Sequence, residues 1–301
     1  MSKIFSNPAG DQLLTYLREI FTNKRIYQRR DRFILFVCGG QLALEQSSLR
    51  KQFMDWAEVN LPQFICLLAE DALKDSFAGE GRTFVNLASF ESIIAEVADG
   101  VLIFPESAGS LAEAGFFANS EIIRNKTLVV NPYRFQAEDS FLNRGPFDTI
   151  NRDSFLKLLI INDDSIADFV QVQQRLLTGV RWPDHRERLA HKTFGKFTFK
   201  EKLFVVFEIL RLLRLADLKT LRYVVVKCFG GNPKKQELTH LLRILLAAKF
   251  IKREEHYFRV MPNLSLVDIE HLEIETVFAR VNFYYQKHFP ELYRALDEAS
   301  R

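Results

Sequence analysis

The sequence predicts an α/β fold, a doubly wound parallel sheet, followed by a smaller, mostly helical domain of the winged helix-turn-helix kind. Three observations predict it. Wholly apolar short runs at 33–38, 100–104 and 158–161 have the form of strands buried on both faces of a parallel sheet. Segments of helical period alternate with them up to residue 178, which is the βαβ rhythm. Beyond residue 200 the rhythm changes to helix, helix, turn, helix and hairpin. At 301 residues the chain is long enough for two cores. The expected domains are an N-terminal helix and basic segment (1–30), the α/β domain (31–180), a linker (181–200) and the winged helix with further C-terminal helices (201–301).

Taken in order, residues 1–30 read as one amphipathic helix, with Leu13, Leu14, Leu17, Ile20 and Phe21 at helical spacing. Lys24, Arg25, Arg29, Arg30 and Arg32 then form a basic patch, either a solvated surface or a contact for an acidic partner. The strand at 33–38 is closed by Gly39 and Gly40, where a ligand can approach the backbone. A helix over 48–59 leads to a strand at 64–68 that ends on Glu70 and Asp71. The helix over 87–98 carries Glu91 and Glu96. Further strands fall at 126–131 and 158–161, a turn ordered by Gly145-Pro146 lies between them, and a helix over 165–178 closes the domain.

The stretch 98–119 organises this domain. Gly100 to Phe104 is the central strand and Pro105 stops it, since proline cannot donate to a sheet ladder. Glu106 to Ser110 reads as a turn of small residues, and a helix is expected from Leu111, with Ser107 and Ser110 as suitable caps. That places Glu113 in the first turn. In open α/β sheets ligands bind where strands end and helices begin, because the helix N-terminus offers unpaired N–H groups. A carboxylate in such a notch suits sugar chemistry; the bland alternative is a first-turn glutamate favoured by the helix dipole.

Composition prunes the chemistry. Residues 1–180 carry 18 Lys and Arg against 23 Asp and Glu, whereas 181–301 carry 23 against 15. All six histidines lie in the basic half, so a site in the front half has no local histidine for a Ser-His or Cys-His system. Carboxylates remain. The histidines are scattered without ligand spacing, which argues against a metal site, and no resident cofactor is expected. Cys38, Cys66 and Cys228 sit in apolar runs and read as reduced core thiols, consistent with a cytoplasmic protein. No apolar run approaches the ~20 residues that span a bilayer.

In the basic half, helices are expected over 201–216, 218–229 and 234–249, with a hairpin over 250–262. Lys234, Lys235, Arg243, Lys252, Arg253 and Arg259 would decorate the last helix and the wing as nucleic-acid contacts. Few residues at those positions suit base edges, so docking on phosphates is favoured over sequence reading.

The front half resembles the nucleoside deoxyribosyltransferase-like family, and the whole chain resembles the effectors of bacterial retrons. The residues that carry the resemblance are Phe36-Val-Cys-Gly-Gly40, Glu70-Asp71, Phe90-Glu-Ser-Ile-Ile94, Phe104-Pro-Glu-Ser-Ala-Gly-Ser110 with Glu113, Gly115, Phe117 and Asn119, and Ser140-Phe-Leu-Asn-Arg-Gly-Pro146. The resemblance implies that Glu113 attacks the anomeric carbon of a sugar and displaces the base. Glu106, Ser107, Gly109, Ser110 and Asn119 would then line the site with Gly39, Gly40, Glu70, Asp71 and Glu91. It also implies N-glycosidic cleavage of NAD or a related nucleotide as an anti-phage toxin, restrained by a reverse transcriptase and its branched RNA–DNA hybrid. The chain departs from the deoxyribosyltransferases at Ser107, where an aspartate is usual. From a different class, a non-catalytic nucleotide sensor coupled to a DNA-binding module would use the same crevice. A plain transcription regulator would leave the Glu113 block unexplained.

Overall fold

The computed structural model describes residues 3–29, 32–40, 48–74, 86–136, 139–162, 168–179, 188–262 and 264–298. Its described residues form two compact units, one of residues 32–179 and one that joins 3–29 to 188–298. The chain starts with α1 (Pro8–Asn23) and β1 (Ile26–Gln28), which belong to the second unit. The first unit follows as β2 (Phe33–Cys38), α2 (Leu49–Asn60), β3 (Phe64–Leu67), α3 (Ala69–Lys74), α4 (Leu87–Val97), β4 (Gly100–Ile103), α5 (Ala108–Ala118), α6 (Glu121–Arg124), β5 (Thr127–Pro132), α7 (Asp148–Asp153), β6 (Leu158–Ile161) and α8 (Phe169–Gly179).

Its five strands are all parallel and lie in the order β3-β2-β4-β5-β6. The chain steps from β2 outward to β3 and then returns to the other side of β2 with β4, so the order reverses between β2 and β4. Such a switch point leaves a crevice at the C-terminal strand ends. Side chains alternate across the sheet. Phe33, Leu35, Val37, Leu102, Phe104, Leu128 and Val130 share one core with Phe53 of α2 and Phe169, Val172 and Leu176 of α8. On the opposite face the ring of Phe36 meets Phe117 of α5 at 6.1 Å, and Phe90 and Ile94 of α4 are buried. Each large apolar side chain buried this way contributes roughly 1.5–3 kcal/mol. Asp99 fixes the entry to β4: its N–H donates to the Ile34 carbonyl at 2.7 Å, and its Oδ2 accepts from the Ile34 N–H at 2.9 Å.

Two local expectations for the first unit are corrected. Helix α5 begins at Ala108, three residues before Leu111, because Ser107 and Ser110 form a reciprocal capping box at 3.1 and 3.0 Å. Glu113 therefore lies in the second turn of α5, one turn deeper than expected. The expected Gly-Pro turn is instead a π-helical turn over Asn143–Phe147 that runs into α7. Pro146 lacks an N–H, and a π turn is a place where the regular ladder is already interrupted.

The second unit continues with α9 (Phe199–Leu213), β7 (Ala216–Asp217), α10 (Leu218–Phe229), α11 (Lys235–Ala247), β8 (Ile251–Glu254), β9 (Tyr257–Val260), β10 (Val267–Ile269), α12 (Ile274–His288) and α13 (Pro290–Glu298). Strands β8 and β9 form an antiparallel hairpin, and β7 pairs with the outer side of β9. Helix α9 is buried along most of its length and opens with a Thr198–Glu201 capping box. The single helix expected over 1–30 ends at Asn23, and residues 26–28 instead pair antiparallel with β10. Arg188 bridges to Tyr27, and Phe21 packs against Phe229, so the N-terminal segment is part of this unit. No helix among the described residues is long and apolar enough to cross a membrane.

Candidate active site

The crevice at the switch point is a cleft of about 160 Å³ lined by Cys38 at the end of β2, Arg50 of α2, Glu70 of α3, Glu91 of α4 and Glu113 of α5, with Phe36 and Leu87 among its apolar walls. Five elements thus bring three carboxylates, one guanidinium and one thiol to one cleft. Arg50 is the residue that organises them. It is 6% exposed, and its Nη2 donates to Glu70 Oε1 at 2.7 Å while Nη1 reaches Glu70 Oε2 at 3.4 Å. Its Nε is buried without a hydrogen-bond partner among the described residues.

Glu106 holds Arg50 in place. Its carboxylate accepts from the backbone N–H of Leu49 at 2.7 Å, of Arg50 at 3.0 Å and of Gly40 at 3.2 Å. It therefore caps the N-terminus of α2 from the end of β4. Gly39 lets α2 come this close, since a Cβ there would lie 2.7 Å from Arg50 Cβ. Ser107 and Ser110 satisfy each other, and the Ser107 hydroxyl also donates to the Gly39 carbonyl at 3.3 Å.

The titrations follow from burial and charge. Burial first, then Glu113 and Glu70, push the Glu91 carboxyl up to about 7. Burial also raises Glu113, opposed by a hydrogen bond from the Cys38 thiol and by the Arg50 guanidinium, while Glu70 adds to the rise. Burial, followed by Glu113, raises Cys38 well above the ordinary thiol range, so it is a neutral donor. Glu113 Oε2 is buried and has no hydrogen-bond partner among the described residues. A carboxylate oxygen with lone pairs unengaged stands beside a second carboxyl that holds its proton near neutrality. Such a pair can divide into nucleophile and acid.

Of the residues singled out from the sequence, Glu113, Glu91 and Glu70 meet in the cleft. Gly39, Gly40, Glu106, Ser107 and Ser110 lie behind it, where they fix α2 and α5. Asp71 follows Glu70 on α3 but is not on the cleft wall. Gly109 is in the first turn of α5, and Asn119 caps its far end with a bond from its side-chain amide to the Gly115 carbonyl. Sequence reasoning missed Arg50 and the contact of Cys38. For Arg50 a signal existed: it shares the buried stripe of α2 with Phe53 and Ala57, an unusual place for a charge.

Among the candidate nucleic-acid contacts, Lys234 and Lys235 are exposed at the start of α11. Lys252 pairs with Glu254 at 2.6 Å, Arg253 donates to the Glu255 carbonyl at 2.8 Å, and Arg243 is half-buried on α11. Arg259 does not decorate the wing as expected. It is 7% exposed on β9, on the strand face opposite to Phe258, where it lines a cavity with Arg211 and Arg214.

A family model described as STM3845 retron effector protein matches residues 46–253, well over half of the chain. The chain is similar to two Escherichia coli proteins. It is 26% identical over 219 residues, 68% of this chain and 67% of the other, to "Retron Ec86 putative ribosyltransferase/DNA-binding protein". It is 33% identical over 121 residues, 40% of this chain and 38% of the other, to "Retron Ec73 putative ribosyltransferase/DNA-binding protein". The matched span takes in Arg50, Glu70, Glu91 and Glu113 of the cleft but not Cys38, together with α9 to the first three residues of β8. The chain belongs to the retron effector family.

Proposed function

We propose that the protein is a glycosidase-type effector that breaks the N-glycosidic bond of a nucleotide, with Glu113 as nucleophile and Glu91 as proton donor. The observation that carries this reading is the unengaged Oε2 of Glu113 beside the carboxyl of Glu91 held near 7. Glu113 Oε2 attacks the anomeric carbon as the C–N bond breaks, through an oxocarbenium-like transition state. A departing purine or pyrimidine nitrogen takes the proton of Glu91, whereas nicotinamide leaves the cationic ring of NAD as a neutral molecule and takes none. The resulting glycosyl ester on Glu113 is resolved by water, whose proton passes to the Glu91 carboxylate (left by proton donation or, with NAD, already ionised) as its oxygen bonds the anomeric carbon and Glu113 leaves as a carboxylate. Arg50 and the Cys38 thiol oppose the burial of Glu113 and keep it ionisable.

The ribosyltransferase wording in the names of the two relatives supports a glycosyl-transfer chemistry. Family membership supports association with a reverse transcriptase and its branched RNA–DNA, and an anti-phage role. The helix–strand–helix–helix–hairpin order of the second unit supports a winged helix, with Lys234 and Lys235 placed to meet phosphates. NAD, or a nucleotide carrying a purine or pyrimidine, is the substrate class.

The test is chromatography of nucleotides after incubation of the protein, alone and with its cognate RNA–DNA and reverse transcriptase, with NAD, ATP and deoxynucleosides. Free base from the wild type and none from Glu113→Gln supports the glycosidase. Base release unchanged by Glu113→Gln removes the proposed nucleophile. Nucleotide binding that survives that change with no base release from either protein, even with the partners present, favours a sensor.

A further inference from the structure

The second unit holds a larger cavity, of about 510 Å³, lined by Arg211 and Arg214 at the end of α9, Arg259 of β9, Met261 and Pro262 after it, and Phe278 of α12. This is within the range of small-molecule sites, ~300–1,000 Å³. We infer that it is a binding site for a phosphorylated ligand of nucleotide size, separate from the carboxylate cleft.

Three arginines from two elements line it, and Glu275 is the only carboxylate among the described residues that do. Glu208, buried below, takes both Nε and Nη2 of Arg211 at 2.8 and 2.6 Å and so aims that side chain. Arg214 is aimed as well: its Nη1 donates to Asn282 Oδ1 at 2.7 Å, and its guanidinium lies 5.3 Å from the centre of the Phe278 ring. Arg259 presents a charge from a side chain that is 7% exposed. Burial, and then Arg259, disfavour the charge on Arg214, which an arriving anion would relieve. Planar guanidiniums in a partly dry wall are suited to phosphate oxygens.

Arg214 follows the last residue of α9 at φ +65°, a conformation that glycine adopts without strain and that Lys157, Lys249, Glu255 and His271 also take. One backbone feature bears on the ligand. The cavity also meets the N-terminus of α12, a 15-residue helix whose N-cap residue, Glu273, makes no side-chain cap bond; its carboxylate accepts from the Thr276 hydroxyl instead. Ile274 and Glu275 of that first turn are on the wall. A helix start that lacks a side-chain cap adds N–H donors to the guanidinium cluster. Met261, Pro262 and Phe278 give the non-phosphate part of the ligand an apolar seat.

The test is calorimetric titration of the full chain, in the Glu113→Gln background so that no ligand is consumed. The probes are tripolyphosphate, ATP and a single-stranded oligonucleotide with and without a 5′-phosphate. Binding of ATP and tripolyphosphate, weakened tenfold or more by Arg214→Gly with a melting temperature unchanged or raised, is the expected result. Arg259→Gln should weaken binding in the same way. ATP as the tighter ligand identifies a free nucleotide. A preference for the 5′-phosphorylated strand identifies a nucleic-acid end. No binding of any probe, or binding that Arg214→Gly leaves intact, overturns the inference. So does a glycine variant that melts several degrees lower, since Arg214 would then be structural.

Discussion

Replacing Glu91 with glutamine should make the protein more stable and less active, and the two effects should depend on pH in linked ways. The folded-state carboxyl of Glu91 lies near 7 against an ordinary 4.5. A rise of that size corresponds to at most ~3.4 kcal/mol between its protonated and ionised forms, and screening of a half-buried group reduces it to ~1–2 kcal/mol. The sign follows from proton counts. Below pH 4.5 both folded and unfolded chains carry the proton and Glu91 costs nothing. Between 4.5 and 7 the folded chain holds a proton that the unfolded chain has lost, so stability falls as pH rises; above 7 the full loss is in place. Glutamine has no such loss. Urea unfolding should therefore show Glu91→Gln more stable than wild type by ~1–2 kcal/mol at pH 8, with the gap nearly closed at pH 4.5. Base release should fall by ~10²- to 10⁴-fold where the base leaves only when protonated, as adenine does. With NAD the fall should be much smaller, because nicotinamide departs from a cationic ring as a neutral molecule. A glutamine variant less stable than wild type at pH 8, or a gap independent of pH, would refute the reasoning.

Other residues give further expectations. Arg50→Met removes the charge that pulls Glu113 down and strands Glu70, so the rising limb of the pH–rate profile should move to higher pH, and stability should drop by ~1–3 kcal/mol in urea. Asp99→Ala leaves the Ile34 N–H at the start of β2 without that acceptor, which should cost ~1–3 kcal/mol and leave cleft titrations unchanged. Lys234→Glu combined with Lys235→Glu should weaken binding to the RNA–DNA hybrid, and the slope of log K against log salt should shrink by ~2, as read by fluorescence anisotropy.

The strands were the most legible part. Runs such as 33–38 and 158–161 are apolar throughout; the first is buried on both faces as expected, whereas the second is the edge strand β6, with Leu158 and Ile160 only half-buried. Helix starts were less legible, because the capping box of α5 uses two serines around a glycine, a composition that also describes a loop. β1 was hidden for a different reason: three residues pair with a strand about 240 positions away, and nothing local marks such a partner. In the cleft, Glu113, Glu91 and Glu70 could be picked out because each sits just past a strand or on a helix next to one. Cys38 could not, since its role depends on Glu113 from another element, and Arg50 was marked only by being a charge in the buried stripe of α2. Glu106 shows the converse. Its sequence context is that of a site residue, yet three backbone N–H groups occupy its carboxylate.

The central claim is that Glu113 forms a bond to the sugar, and mass spectrometry tests it most directly. A 2′-fluorinated nucleotide slows the second, water-dependent step by destabilising the oxocarbenium-like transition state, so a glycosyl-enzyme should accumulate. Peptide mapping is expected to show a single glycosyl adduct on Glu113 in the wild type and none in Glu113→Gln. Base release without an adduct, undiminished in Glu113→Gln, or an adduct on another residue, would contradict it.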